Sequence, residues 1–107
     1  MPRRPRFTLT FAPETLDHLD AIERGYHRLI QKTIDEQLSY TPERVTRNRE
    51  PLEQPAPFGA AWELRCGPNN RFRVFYEVDA EEQTVWTLAV GVKERNKLFI
   101  GAEEFEP

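Results

Sequence analysis

Arginines are the residues of this chain whose type and spacing could do chemistry. Three of them, Arg65, Arg71 and Arg73, fall in the stretch WELRCGPNNRFRVFYEV, residues 62–78. Each guanidinium offers a planar fork of donors that matches two phosphate oxygens. Arg47 and Arg49 alternate outward in the preceding segment TRNRE and could close over the same surface. These cations predict a site for spread negative charge, such as a nucleic-acid backbone or a phosphoryl transition state.

A competing interpretation gives the arginines a structural role. Arg65 stands beside Glu63, and Arg73 stands near Glu77. Such neighbours form cross-strand charge pairs on a solvated sheet face in many proteins. The residues alone leave both interpretations open.

Few residues are suited to move a proton at this site. His18 and His27 fall in an acidic helical segment, where surface positions are expected. Tyr76 alternates onto the other face of its strand. The sequence has no nucleophile elbow, phosphate-cradling glycine loop or cluster of metal ligands, so metal-free chemistry without a cofactor is expected. The nearer acids are Glu53, Glu63 and Glu94.

Charge is distributed unevenly along the chain. The net charge is -3, from 15 Lys and Arg against 18 Asp and Glu. Residues 14–36 carry six acids against three bases, whereas residues 44–73 carry six arginines against three glutamates. A weakly acidic protein with one basic surface is predicted. The single cysteine, Cys66, excludes an internal disulfide and is expected to be a small buried strand residue.

The chain carries no signal for a membrane. Its apolar runs fall far short of the roughly 20 residues that a spanning helix needs. The N-terminal stretch MPRRPRF is basic but lacks a following apolar segment. A cytoplasmic protein is therefore expected, without a signal peptide.

Periodicity predicts an alternation of short elements. Residues 6–11 alternate as a strand, a first helix begins at Pro13 and ends at Gly25, and a second helix spans about 26–40. Residues 41–60 hold four prolines and read as a long loop. A hairpin follows at 62–78 with its turn at 67–70, then a strand over 84–93 and a C-terminal tail.

These elements predict an α+β fold in one domain, residues 1–107, with its core at about 6–100. Two N-terminal helices pack on one face of a small, mostly antiparallel four-stranded sheet in the order β-α-α-β-β-β. The helices are expected to cover the sheet with Leu16, Ile22, Leu29 and Ile34. The opposite face is then predicted to be a shallow basic platform that displays Thr8, Thr10, Arg65, Arg73, Thr87 and Lys93.

The whole pattern resembles the RelE/ParE superfamily of toxins from bacterial type II toxin–antitoxin systems. The resemblance covers residues 6–100 and is carried mainly by WELR at 62–65 and RVFYEV at 73–78, with TRNREPL before them and VGVKER after them. It implies one of two activities on one fold. RelE-like members cut mRNA in the ribosomal A site without a metal, and ParE-like members poison DNA gyrase.

The RelE-like resemblance implies roles for particular residues. Arg65 and Arg73 would bind the scissile phosphate, with Arg49 as a third catalytic cation. Contacts to RNA would come from Arg47, Arg71, Lys93 and Arg95. The 2′-hydroxyl of the RNA would attack its own phosphate.

The chain departs from that pattern after its last predicted strand. Such nucleases carry a tyrosine or histidine there, and this chain has Phe99, which cannot transfer a proton. Glu53 or Glu94 would then take that part, or the protein would not be a nuclease. We therefore predict a ribosome-dependent mRNA endoribonuclease, with a gyrase inhibitor and a non-catalytic binding member as the alternatives. Both toxin interpretations imply a cognate antitoxin as partner.

Overall fold

The computed structural model describes residues 5–106. The first residues of the basic N-terminal stretch and the last residue of the chain lie outside the described part. The strands are β1 (Thr8–Phe11), β2 (Arg49–Pro51), β3 (Trp62–Cys66), β4 (Phe72–Asp79), β5 (Thr84–Glu94), β6 (Lys97–Ile100) and β7 (Glu103–Phe105), and the helices are α1 (Thr15–Asp20) and α2 (His27–Leu38).

All seven described strands belong to one sheet, ordered β2-β3-β4-β5-β6-β7. The long strand β5 is shared along one edge by two partners. β1 pairs with its first half in parallel, from Thr8 opposite Thr84 to Phe11 opposite Thr87. β6 pairs with its second half antiparallel, from Gly91 opposite Ile100 to Glu94 opposite Lys97. The α+β class is as predicted, with more strands than the four expected.

The three additional strands come from segments predicted to be irregular. β2 arises within the predicted loop 41–60, and β6 and β7 arise within the predicted tail. Gly91 allows β6 to lie close, since a Cβ there would come within 2.9 Å of Leu98 Cδ1 and of the Phe99 carbonyl oxygen. The turns between these strands use residues with positive φ, Arg95 and Asn96 before β6 and Gly101 and Ala102 after it. Turns of this kind match the right-handed twist of antiparallel strands.

The predicted hairpin forms as β3 and β4, with Leu64 opposite Val74 and Arg65 opposite Arg73. The next strand departs from strict alternation, because the register of β4 with β5 shifts between Phe75 and Tyr76. Leu88 is the extra residue of this bulge, and the faces of β5 exchange there. Thr87 is therefore buried on the helix side instead of displayed on the platform, and Trp86 points to the other face with 40% of its surface exposed.

The helices differ from the prediction in length and in the residues that they bury. α1 ends at Asp20, and Glu23 has an extended conformation (φ −51, ψ 132), so the helix stops before Gly25. A 3-10 turn, Arg24–Tyr26, leads directly into α2. On α2 the spacing of four residues buries Ile30, Ile34 and Leu38. Leu16 and Leu29, both predicted to cover the sheet, are 69% and 39% exposed.

Apolar side chains cover both faces of the sheet. The larger cluster lies under the helices and includes Ile30, Ile34, Leu64, Phe72 and Tyr76. A second cluster on the opposite face contains Ala60, Phe75, Ala89 and Ile100, with Leu52, Leu98 and Phe105 packed against it. The second face is therefore not the open platform that alternation predicted. Among the described residues, no helix is long and apolar enough to cross a membrane.

Candidate functional site

Arg65 and Arg73 converge on one carboxylate. Arg65 Nε lies 3.3 Å and Arg73 Nη1 lies 3.2 Å from the same oxygen, Glu63 Oε1. Glu63 and Arg65 lie two residues apart on β3, so alternation places both on the second face of the sheet, and the register brings Arg73 beside them. Glu63 is 9% exposed, so the carboxylate is held by its two partners more than by water.

Further partners complete this network. Arg65 Nη2 is 2.7 Å from Glu50 Oε1 on β2, and Arg73 Nε donates to the Asn70 carbonyl oxygen at 2.9 Å. The predicted pairing of Arg73 with Glu77 is replaced by the pair with Glu63. The side chains of Arg65 and Arg73 remain 27% and 17% exposed. The network is thus a pair of arginines organised around an anion, with the chain's own carboxylate in place.

Arg49 lies apart from this pair. It is 4% exposed, and its Nη1 donates to the carbonyl oxygens of Gln37 and Thr41. These bonds tie β2 to the end of α2. A guanidinium buried on backbone carbonyls is not available to a phosphate, so the geometry favours a structural role for Arg49, and the predicted catalytic role is not supported by its position.

Three of the four residues predicted to contact RNA come together. Arg71, Lys93 and Arg95 line a cleft of about 430 Å³ with Pro68, Asn69 and Glu94, which we call the basic cleft. The cleft lies where the turn between β3 and β4 meets the turn between β5 and β6. Arg71 Nη2 is 3.1 Å from Glu94 Oε1, and Lys93 and Arg95 are exposed. The cleft carries more positive than negative side chains.

The fourth, Arg47, lies at the same end of the sheet on the outer edge. It precedes β2, and the neighbouring Asn48 carbonyl oxygen accepts a hydrogen bond from the Arg65 N–H at 2.8 Å. Arg47 is exposed. Thr8 and Thr10, in contrast, lie at the other end, because β1 pairs with the start of β5. Arg47 and the three cations of the basic cleft therefore lie at one end of the sheet. The alternation of residues along the strands did not predict this.

Glu63 is the acid that touches both arginines of the pair. Glu94 contacts Arg71 instead, and Glu53 lines a groove of about 460 Å³ beside Glu63 without an ion pair to either arginine in the described structure. Tyr76 lies on the helix side, as predicted, where its hydroxyl donates to the Pro42 carbonyl oxygen at 2.8 Å. Burial raises the pKa of Tyr76. Tyr76 is therefore remote from this chemistry.

His18 is buried, although it was predicted to be a surface residue. It is 6% exposed, and its Nδ1 accepts a hydrogen bond from the Val90 N–H at 3.2 Å. Val90 lies in the short part of the β5 edge between the residues that β1 covers and those that β6 covers. The imidazole thus supplies the acceptor that a strand would otherwise supply. Burial lowers the pKa of His18, against the opposing effect of Glu14 and Asp17.

A cavity of about 210 Å³ opens beside His18, and we call it the histidine cavity. Its buried lining includes Ile22, Phe72 and Val90, and its rim includes the exposed Glu23 and Glu94 and the half-buried Arg71. Arg71 lies over two aromatic rings, with its Cζ 5.7 Å from the Tyr26 centroid and 5.4 Å from the Phe72 centroid. Arg71 and Glu94 line both this cavity and the basic cleft. No metal-binding group of three or more His, Cys, Asp or Glu occurs within residues 5–106.

A small α+β sheet with two helices on one face and arginines on the other is consistent with a type II toxin fold. The family model described as "ParE toxin of type II toxin-antitoxin system, parDE" matches residues 9–97. The match spans most of the chain, which therefore belongs to this family of the RelE/ParE superfamily. No curated protein matches the chain significantly. Membership implies a cognate antitoxin as partner.

Proposed function

We propose that this toxin is a metal-independent endoribonuclease that cuts mRNA on the ribosome in the cytoplasm and so stops translation. The observation that carries the proposal is the convergence of Arg65 Nε and Arg73 Nη1 on one oxygen, Glu63 Oε1. Two guanidiniums that share an anionic oxygen can also share a phosphate oxygen. The basic cleft at the same end of the sheet supports contacts to the flanking RNA backbone.

The proposed reaction needs only groups of the RNA and of this site. The ribose 2′-oxygen attacks the adjacent phosphorus and gives its proton to the Glu63 carboxylate. Arg65 and Arg73 stabilise the charge that grows on the phosphoryl oxygens. The bond from phosphorus to the 5′-oxygen breaks, and that oxygen takes a proton from solvent. The products are a 2′,3′-cyclic phosphate and a 5′-hydroxyl.

Glu63 takes the part of proton acceptor that the sequence assigned to Glu53 or Glu94. Its oxygen already touches both arginines, so a phosphate held by them would lie beside it. A positioned acid or base contributes roughly 10²- to 10⁴-fold to such a reaction. The site thereby compensates for Phe99, which stands where related nucleases carry a proton-transfer residue.

The test uses purified toxin in a translation extract with one defined mRNA, with 5′ ends mapped before and after addition. Arg65→Lys and Arg73→Lys keep a positive charge beside Glu63 but lose the planar fork. Cutting is expected to fall about 100-fold in each, as on loss of one transition-state donor. Arg28→Ala, an exposed arginine of α2, is the control and should cut normally. Wild-type toxin that stops translation without new 5′ ends would refute the nuclease.

A gyrase inhibitor is the second candidate, and a specific observation favours it. Arg65 and Arg73 are occupied by Glu63 and Glu50, which is what a purely structural network requires. The matched family is also named for ParE toxins. This candidate predicts loss of gyrase supercoiling with purified toxin and no cut mRNA. Arg65→Lys and Arg73→Lys would then leave the inhibition unchanged.

A further inference from the structure

The histidine cavity and the basic cleft form one continuous surface. Arg71 and Glu94 belong to the lining of both. A chain of phosphates that follows the exposed cations Lys93 and Arg95 would therefore pass the mouth of the cavity. The next group along a nucleic-acid strand from a phosphate is a sugar with its base.

The size of the cavity suits one ring system. Its volume of about 210 Å³ exceeds the roughly 150 Å³ of a cavity that takes up benzene. It is smaller than the roughly 300 Å³ at which sites for drug-sized ligands begin. Two half-buried aromatic side chains line it, Tyr26 and Phe99, whereas Phe72 lies behind them with no exposed surface. Such walls stack on the flat faces of bases.

Polar groups in the cavity match the edge of a base. His18 Nδ1 accepts the Val90 N–H, so the proton of the neutral ring lies on Nε2. Nε2 makes no hydrogen bond within the described residues, where no buried side-chain nitrogen or oxygen lacks a partner, so Nε2 retains contact with solvent. The His18 ring lines the cavity and also packs edge-on against Phe58, with 5.2 Å between the ring centroids. Glu23 and Glu94 provide acceptors at the rim. A base offers an acceptor for Nε2–H and amino hydrogens for a carboxylate.

We propose that the histidine cavity binds one unstacked base of the single-stranded RNA whose phosphates lie in the basic cleft. This inference rests on the proposed nuclease function and adds to it a determinant of base preference. Because helix-side residues line the cavity and Arg65 and Arg73 lie on the second face, the bound base would be one that flanks the cut. A protein side chain would also fit the volume. The shared Arg71 and the cationic cleft beside it favour a polyanion with rings, which is RNA.

Two substitutions test the cavity while the arginine pair stays intact. Ala21→Trp places an indole at the exposed rim, where Ala21 has ordinary helical φ and ψ of −79 and −3. His18→Asn keeps an acceptor for the Val90 N–H and removes the Nε2 donor. Ala80→Trp is the matched control, because Ala80 is an exposed alanine in the turn between β4 and β5. Each variant is compared with wild type in the translation extract with mapped 5′ ends.

The readout is the ratio of cuts among the four bases at each position near the cut. Wild type and Ala80→Trp are expected to prefer one base about tenfold at one position, because hydrogen bonds to the edge of the base discriminate among the four bases. In Ala21→Trp the preference should fall to within about twofold, while total cutting stays within about threefold, because the phosphate contacts remain. If Ala21→Trp folds but cuts nothing, the test passes to His18→Asn, which leaves the cavity open. Its ratio of cuts among the four bases should then fall to within about twofold.

The outcomes separate this inference from the function on which it rests. Cutting with unchanged base preference in Ala21→Trp and His18→Asn would overturn the base site and leave the nuclease standing. Unchanged preference together with a weaker complex with the cognate antitoxin would assign the cavity to a protein side chain. A wild type that cuts no mRNA would refute the nuclease and the base site together.

Discussion

Arg65 and Arg73 stand directly opposite each other in the register of β3 and β4, and both reach the same oxygen of Glu63. Like charges directly opposite on a sheet repel. Glu63 cancels that repulsion from a position that is 9% exposed, where ion pairs are less screened than in water. The carboxylate therefore offsets the repulsion between the two guanidiniums.

Replacing Glu63 by Gln should weaken both the fold and the proposed reaction. The neutral amide leaves the two guanidiniums without their shared anion, so the free energy of unfolding should fall by about 1–3 kcal/mol. Cutting of mRNA should fall about 100-fold or more, because the proton acceptor is lost. Urea unfolding and 5′-end mapping measure the two effects.

Glu53→Gln provides the matched control for Glu63→Gln. Glu53 is exposed and lines the same groove, and the substitution makes the same change of charge. Both stability and cutting should remain near wild type. Equal losses in the two variants would mean that net charge, not contact with the arginines, governs the site.

The hairpin that bears these arginines could be predicted from sequence, because two alternating segments flank a run of turn residues. The choice of Glu63 over Glu77 as partner of Arg73 could not, since several acids lie within reach and only packing selects among them. The bulge at Leu88 was also hidden, because both faces of β5 are apolar. One inserted residue then moved Thr87 to the core and Trp86 to the surface.

Strands β6 and β7 lie in the C-terminal tail that was predicted to be irregular. β6 and β7 are three or four residues long, and their turns place Arg95 and Ala102 at positive φ, which those residue types do not signal. The Arg95-Asn96 pair before the apolar run Leu98-Phe99-Ile100 was the available hint. Burial of His18 depended on the gap that β1 and β6 leave on β5, which no local pattern encodes.

Tyr76→Phe should destabilise the protein without affecting the site. Tyr76 is fully buried, and its hydroxyl donates to the Pro42 carbonyl oxygen, which joins β4 to the segment after α2. Loss of the hydroxyl leaves that carbonyl unpaired, at a cost of about 1–2 kcal/mol in the free energy of unfolding. Denaturant unfolding measures it, with Tyr40→Phe, which is 50% exposed, as the neutral control. A change as small as that of the control would contradict the bond.

His18 should make the stability fall at mildly acidic pH. Burial holds the pKa of His18 in the folded protein below its ordinary value of 6.5, against Glu14 and Asp17. The unfolded chain therefore binds a proton more readily, and the stability that neutral His18 contributes is present above about pH 6.5 and is lost below it. Protonation also removes the Nδ1 acceptor of the Val90 N–H.

Unfolding curves between pH 5 and pH 8 test this dependence. The difference in unfolding free energy between wild type and His18→Asn should shrink or reverse as the pH falls from 8 to 5, because asparagine does not titrate. A difference that is constant across the range would contradict the prediction, because it would mean that His18 has the same pKa in the folded and the unfolded protein.

Cys66 should resist alkylation as long as the protein stays folded. Its side chain lies in the cluster under the helices with 6% exposure, and burial raises its pKa to about 11. The thiolate is the reacting form, so at pH 8 its fraction should be roughly 100-fold smaller than in the unfolded chain. Iodoacetamide should thus label the native protein at least about 100-fold more slowly than the protein unfolded in about 6 M guanidinium chloride. Rapid labelling in native buffer would contradict the buried position, whereas labelling whose rate follows denaturant would report the opening of the helices from the sheet.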